Sequence, residues 1–293
     1  MKNLLWIALL FPLIGMAQQR NFDDVVIEPV KVTDKIYMLK GAGGNIGVLI
    51  GADGILMVDD QFAPLSEKIT KAIESLDKNK IKFLINTHIH GDHSGGNENF
   101  SKAGVSIVAH EGVRNRMMKE YVHGETVEPP RPKEALPIIS FQQGMNFHLN
   151  GEDIELFHFG RAHTDGDVIV FFKQSNVYHT GDVFVRYGYP YIDMTRGGTV
   201  KGFISFLDQL IARMDDNAKV IPGHGELATK KDVIAFRDKI KDMYDGTVAA
   251  IKKGVKLEAI ASIDVAKKYD AEWGEGKGKD FVFMIAENYL KGN

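Results

Sequence analysis

The chain has 293 residues, 44% of them hydrophobic and 26% charged, with a formal net charge of −3. That is enough apolar chain for a sizeable core in at most two domains, and no dense Lys/Arg stripe or aromatic-interleaved basic motif marks it for nucleic acid. Cysteine is absent, so disulfides, thiolate zinc ligands and lipid attachment through an N-terminal cysteine are excluded, and any metal must be held by imidazole and carboxylate.

The first residues, "MKNLLWIALLFPLIGMAQQ", have the layout of a secretory signal: Lys2, an apolar run from Leu4 to Ile14, and the small-x-small site Gly15-Met16-Ala17. The run is short of the roughly 20 residues that span a bilayer. Residues 1–17 are therefore expected to be cleaved after Ala17, leaving an exported chain, periplasmic or secreted, with no stable membrane insertion. Short β-like runs follow at 35–40, 45–51 and 54–60, punctuated by glycine. After Pro64 a helix is predicted, because Leu65, Ile69, Ala72, Ile73 and Leu76 recur on one face. "KFLIN" (82–86) reads as a buried strand, then a short helix at "NENFSKA" and a strand at "VSIVAH" (105–110).

Residues 121–137 carry four of the nine prolines and lack periodicity, so they read as an exposed loop or a flap. A second series of strands is expected at "ISFQQ", "MNFHL", "IELFHF", "VIVFF" and "NVYHTG". A long amphipathic helix fits 200–214, a strand fits "KVI", and the rest is helical, including the Lys-rich 230–254, whose charge reads as a solvated outer face. Two βα-rich halves of this kind predict two packed sheets with helices outside, an α+β layered architecture. The division expected is a catalytic domain over 18–254 and a C-terminal helical extension, 255–293, packed on it.

One stretch stands apart. "NTHIHGDHSGGN" (86–97) puts His88, His90, Asp92 and His93 within six positions, after a strand and before glycines. Three more potential ligands sit in the same setting: His163 in "GRAHTDGD", Asp182 in "HTGDVF" and His224 in "PGHGE". Each follows a predicted strand beside glycine, where the backbone can turn and a side chain can face a shared cleft. Imidazole and carboxylate suit zinc, and three protein ligands leave room for water. His110, His123, His148, His158 and His179 are not assigned to metal; His110 and His179, near strand ends, fit structural hydrogen-bonding roles.

With these residues in view, the sequence resembles the metallo-β-lactamase superfamily, whose metal-binding pattern is His-x-His-x-Asp-His followed by His, Asp and His. The resemblance runs from about Val32 to His224, and "AHTDGD", "TGDVF" and "IPGHG" are similar to exported or cofactor-linked branches. It implies a four-layer αββα sandwich with two Zn²⁺ ions at one edge. His88, His90 and His163 would hold the first, Asp92, His93 and His224 the second, and Asp182 would bridge them. Asp59 matches a family aspartate that supports the ligand shell without being a ligand. The implied chemistry is attack by a metal-bridging hydroxide, with Asp92 orienting the nucleophile or taking its proton. The stretch "RYGYPYIDMTRGG" (186–198) offers Tyr187 and Tyr191 to a small-molecule substrate, or packs under the following helix.

An aspartate at position 182 departs from the family β-lactamases, one group of which has cysteine there. Relatives with the aspartate cleave lactones, thioesters, phosphodiesters or sulfate esters. The expectation is thus a dinuclear zinc hydrolase of a lactone, cyclic amide or ester. The alternatives are a thioester hydrolase resembling hydroxyacylglutathione hydrolase, whose substrate is mainly cytosolic, and an iron-dependent persulfide oxidase. Iron and other divalent metals suit the same imidazoles.

Overall fold

The computed structural model describes residues 21–124 and 126–292; the signal-like stretch 1–17 lies outside the described residues. The first half runs β1 (Glu28–Lys31), β2 (Ile36–Lys40), β3 (Ile46–Leu49), β4 (Ile55–Val58), α1 (Ser66–Leu76) and β5 (Ile81–Asn86). Then come the short helices α2 (Gly91–Ser94) and α3 (Asn97–Lys102), β6 (Ser106–His110), α4 (Glu111–Met117), the hairpin β7 (Tyr121–His123) and β8 (Thr126–Glu128), and β9 (Ile139–Phe141). The second half runs β10 (Gly144–Leu149), β11 (Glu152–Phe157), β12 (Ile169–Phe172), β13 (Val177–His179), α5 (Val200–Arg213), β14 (Lys219–Ile221) and β15 (Ala228–Thr229). Four helices finish the chain: α6 (Lys230–Lys252), α7 (Leu257–Ile260), α8 (Lys267–Trp273) and α9 (Gly278–Leu290).

The strands form a seven-stranded sheet, β1-β2-β3-β4-β5-β6-β9, and a six-stranded sheet, β10-β11-β12-β13-β14-β15. Every residue of β3 and β4 is buried, as required of strands covered on both faces. Between the sheets, Ile36, Met38, Leu56, Val58 and Ile85 of the first meet Ile154, Val170, Phe172, Val177 and Ile221 of the second. Each such side chain contributes about 1.5–3 kcal/mol by leaving water, which holds the two halves face to face. The outer face of the first sheet is covered by α1 and α3 through Ile69, Ile73 and Phe100. The outer face of the second is covered by α5 and α6 through Phe203, Leu207, Phe236 and Ile240, with Trp273 and Phe281 in the same cluster. This is the expected αββα sandwich. Among the described residues, no helix is long and apolar enough to cross a membrane.

Two local expectations change. "ISFQQ" does not begin the second sheet: β9 closes the first, parallel to β6. A parallel neighbour needs a crossover rather than a tight turn, and α4 with the segment after it supplies one, a connection that three residues of strand pattern cannot reveal. Residues 121–137 are not a plain loop, since they contain the β7–β8 hairpin and a 3₁₀ turn over Lys133–Ala135. Their Arg131 is drawn inward, donating from Nη1 to the Ser94 carbonyl at 2.6 Å and from Nη2 to Ile89 at 3.2 Å.

Candidate metal centre

The strands β4, β5, β11, β13 and β14 all end at the same edge of the sandwich. β4 and β5 run parallel, as do β13 and β14, while β11 is antiparallel to β12 and β12 to β13. Their carboxyl ends release Asp59, the His88–His93 loop, His163, Asp182 and His224 into one cleft. All seven sequence-predicted ligands meet there. One ligand atom each from His88, His90, His163 and Asp182 lie within 4.8 Å of one another, and the same holds for Asp92, His93 and His224. Asp182 stands between the groups, with Oδ1 3.2 Å from His93 Nε2 and 3.5 Å from His224 Nε2, and Oδ2 3.7 Å from His163 Nε2.

What turns the rings inward is a set of hydrogen bonds on their far sides. Thr87 Oγ1 gives its proton to Asp59 Oδ2 at 2.7 Å, so it accepts from His88 Nδ1 at 3.0 Å. His88 Nε2 is then left bare, buried and without a hydrogen-bond partner among the described residues. His93 Nδ1 donates to Asp59 Oδ2 at 2.7 Å, His163 Nδ1 to the Tyr191 carbonyl at 2.6 Å, and His90 Nε2 to Asp193 Oδ2 at 2.9 Å. The opposite nitrogens converge: His163 Nε2 lies 2.8 Å from His90 Nδ1, and His93 Nε2 lies 3.2 Å from His224 Nε2. At His90, His93 and His163 the far N–H is engaged while the other nitrogen faces a second imidazole, an arrangement that fits a cation, because outer partners of this kind fix the tautomer of a metal-binding imidazole.

Asp59 also falls in a potential ligand group with His88 and His93. Both of its carboxylate oxygens are already engaged, since Oδ1 accepts from the Thr87 amide at 2.7 Å while Oδ2 serves Thr87 and His93. It is fully buried, and its hydrogen bonds run to Thr87 and His93. Two glycines let the backbone close on the centre: a Cβ on Gly44 would lie 2.0 Å from His93 Cε1, and one on Gly223 would lie 2.0 Å from Asp182 Oδ1.

The electrostatics favour positive charge. Burial works against a His93 imidazolium, yet the Asp182 and Asp59 carboxylates outweigh it and hold the ring well above its ordinary value. Burial likewise opposes protonation of His224, and hydrogen bonds to Asp182 and Asp92 raise it to about 9. Asp92 is pushed up by burial but brought down to about 2 by His224 and His93, so it is ionised at neutral pH. Burial together with neighbouring imidazoles drives His88 well below 6.5 and His163 to about 4, which keeps both neutral.

The cleft over these groups has a volume of about 710 Å³ and is bordered by Phe62, Tyr121, Glu128, Tyr187, Tyr191 and Arg196. Tyr187 and Tyr191 are half exposed, at 49% and 51%. The Tyr187 ring lies 5.4 Å from His224 and the Tyr191 ring 6.0 Å from His90. His110 and His179 are structural: His110 Nε2 donates to Gln142 O at 2.9 Å and His179 Nε2 to Asn45 O at 3.1 Å. Sequence reasoning missed Thr87, Asp193 and Arg131. The first two lie inside the stretches "NTHIHGDH" and "YPYID", where only the ligand types and tyrosines signalled a role.

The metallo-beta-lactamase superfamily model matches residues 40–224. The chain belongs to that superfamily and is a metal-dependent hydrolase. It is 21% identical over 196 residues to a metallo-beta-lactamase type 2 of Bacillus cereus, covering 66% of this chain and 72% of that protein. It is 26% identical over 153 residues to the acyl-coenzyme A thioesterase MBLAC2 of Bos taurus, covering 47% of this chain and 54% of the relative. Among solved structures, a metallo-beta-lactamase from Pontibacter korlensis superposes with a TM-score of 0.64 at 18% identity, over 74% of this chain and 99% of that one. The sec-alkylsulfatase Pisa1 from Pseudomonas sp. reaches 0.67 at 16% identity, over 90% of this chain and 50% of its own. At such identities these structures speak to the fold alone.

Proposed function

We propose that the protein is an exported, dinuclear zinc hydrolase that opens a lactone, a cyclic amide or an ester. The observation that carries this reading is Asp182, whose two carboxylate oxygens face opposite histidine groups. His88, His90 and His163 would hold one ion and Asp92, His93 and His224 the other, with Asp182 shared. Zinc held there supplies a Lewis acid for the substrate oxygen and lowers the pKa of bound water to about 7. The chain's own part is positional. Asp92, ionised and 3.3 Å from His224 Nε2, is the group suited to orient a nucleophile or accept its proton. Tyr187 and Tyr191 flank the ligands on either side and would hold the substrate's non-reacting part. The signal-like start of the chain supports export after Ala17.

The likeness to an acyl-coenzyme A thioesterase favours a second reading, thioester cleavage at the same centre. One assay separates the two: the zinc-loaded mature chain against a β-lactam, a lactone, an ester and a thioester, with metal-stripped protein and Asp182→Ala as controls. Zinc-dependent turnover of an oxygen ester, lactone or cyclic amide above the thioester supports the first reading, and the reverse order supports the second. Asp182→Ala should lose bound zinc and nearly all turnover; unchanged zinc content and rate would remove the shared role of Asp182.

A further inference from the structure

The segment 187–193 touches the candidate centre repeatedly. The Tyr187 ring packs on His224, the Tyr191 carbonyl accepts from His163 Nδ1 at 2.6 Å, and Asp193 Oδ2 accepts from His90 Nε2 at 2.9 Å. The Asp193 amide also donates to the His163 carbonyl at 2.8 Å. Ile192 at the far end of this irregular stretch is buried in the cluster outside the second sheet, while the middle of the stretch points the other way. Tyr189 leaves the cleft and enters the C-terminal helices. Its hydroxyl lies 2.7 Å from Asp270 Oδ1 and 3.2 Å from the Ala266 carbonyl, and its ring stands edge-on to Trp273 at 5.3 Å and tilted against Phe281 at 5.5 Å. The neighbouring Gly188, at φ +111°, brings the backbone so close that a Cβ would fall 2.2 Å from the Trp273 carbonyl oxygen. Asp270 is held in turn by the Gly278 amide at 3.2 Å, at the start of α9. All of these anchoring groups lie beyond residue 224, where the match to the superfamily ends.

We propose that Tyr189 is a positioning residue through which α8 and α9 hold segment 187–193 against His163 and His90. The C-terminal extension is then a working part of the metal centre. Side chains on packed, hydrogen-bonded supports lose less freedom when they bind, so ligands backed in this way bind metal more tightly. The inference rests on the metal reading above, and its test is arranged so that each can fail alone.

The test uses the full mature chain and two variants that share the loss of the Tyr189–Asp270 hydrogen bond: Tyr189→Phe, which removes the hydroxyl alone, and Asp270→Ala, which also frees the Gly278 amide. Amide hydrogen exchange is followed in metal-stripped protein, and zinc affinity is measured separately by chelator competition. The Asp193 amide is expected to exchange about tenfold faster in either variant, the consequence of losing one side-chain hydrogen bond. The amide of Met243, buried within α6, should exchange as in the unaltered chain. Zinc is expected to bind about 3- to 10-fold more weakly, and the double variant should add little to either single one. Unchanged Asp193 exchange overturns the clamp, as does faster exchange with unaltered zinc affinity. Faster exchange at Met243 as well in both variants marks general loosening and also overturns it. An unaltered chain that binds no zinc overturns the metal reading, and exchange at Asp193 then decides the clamp by itself.

Discussion

Asp59→Asn isolates the link between a buried carboxylate and a ligand's tautomer. Asp59 sits at φ +63°, a left-handed conformation that asparagine tolerates about as well as aspartate, so the backbone is not the perturbation. The carboxylate takes three hydrogen bonds of 2.7 Å, from the Thr87 amide, Thr87 Oγ1 and His93 Nδ1. An amide has one oxygen. If that oxygen stays with the Thr87 amide, its NH₂ faces Thr87 Oγ1 and His93 Nδ1. The threonine can rotate and accept. His93 must instead expose a bare Nδ1 and carry its proton on Nε2, the nitrogen that faces Asp182 and His224. A lost hydrogen bond to a charged group costs about 1.5–3 kcal/mol, and loss of a supporting partner weakens metal binding about 10–100-fold. Zinc competition with a chromophoric chelator should show that weakening, chiefly for the ion nearest His93. Urea unfolding of metal-stripped protein measures the stability part separately. Zinc affinity within about twofold of the unaltered chain, with the fold intact, would refute the argument.

The pH dependence should invert with metal. The His224 value is raised from 6.5 to about 9, so in metal-stripped protein its contribution to stability is complete below 6.5 and fades as pH rises through about 9. Zinc held by His224, as proposed, would compete with that same proton. Zinc uptake at neutral pH should therefore release protons, and affinity should climb over the alkaline range, which calorimetry in two buffers of different ionisation enthalpy detects. Zinc binding without proton release would mean that these imidazoles are not the ligands. Arg131→Met should lower stability in urea by about 1–3 kcal/mol, because the Ser94 and Ile89 carbonyls lose their guanidinium donor. Arg131→Lys should recover part of the loss; a neutral Arg131→Met would show that the loop needs no such anchor.

The seven candidate ligands could be picked out because their signal is local, and the fold brings them together. Histidine and aspartate at spacings of two and one, beside glycine and after an apolar strand, say what chemistry is present and at which strand ends. The apolar runs themselves called for two buried sheets with helices outside. Position 193 illustrates what such a reading leaves open: Asp193 meets His90 across 103 residues, a pairing that exists only once two strand-end loops lie side by side. Thr87 acquires its role from Asp59 and Arg131 from the His-loop carbonyls in the same way. β9 joins the first sheet because a crossover carries it there, and Tyr189 reaches Asp270 only because α8 folds back. Residue type and local period belong to the sequence and determined the candidate chemistry. Which tautomer each imidazole adopts, and what holds it, depends on partners brought together by long-range packing, and that only the tertiary structure decided.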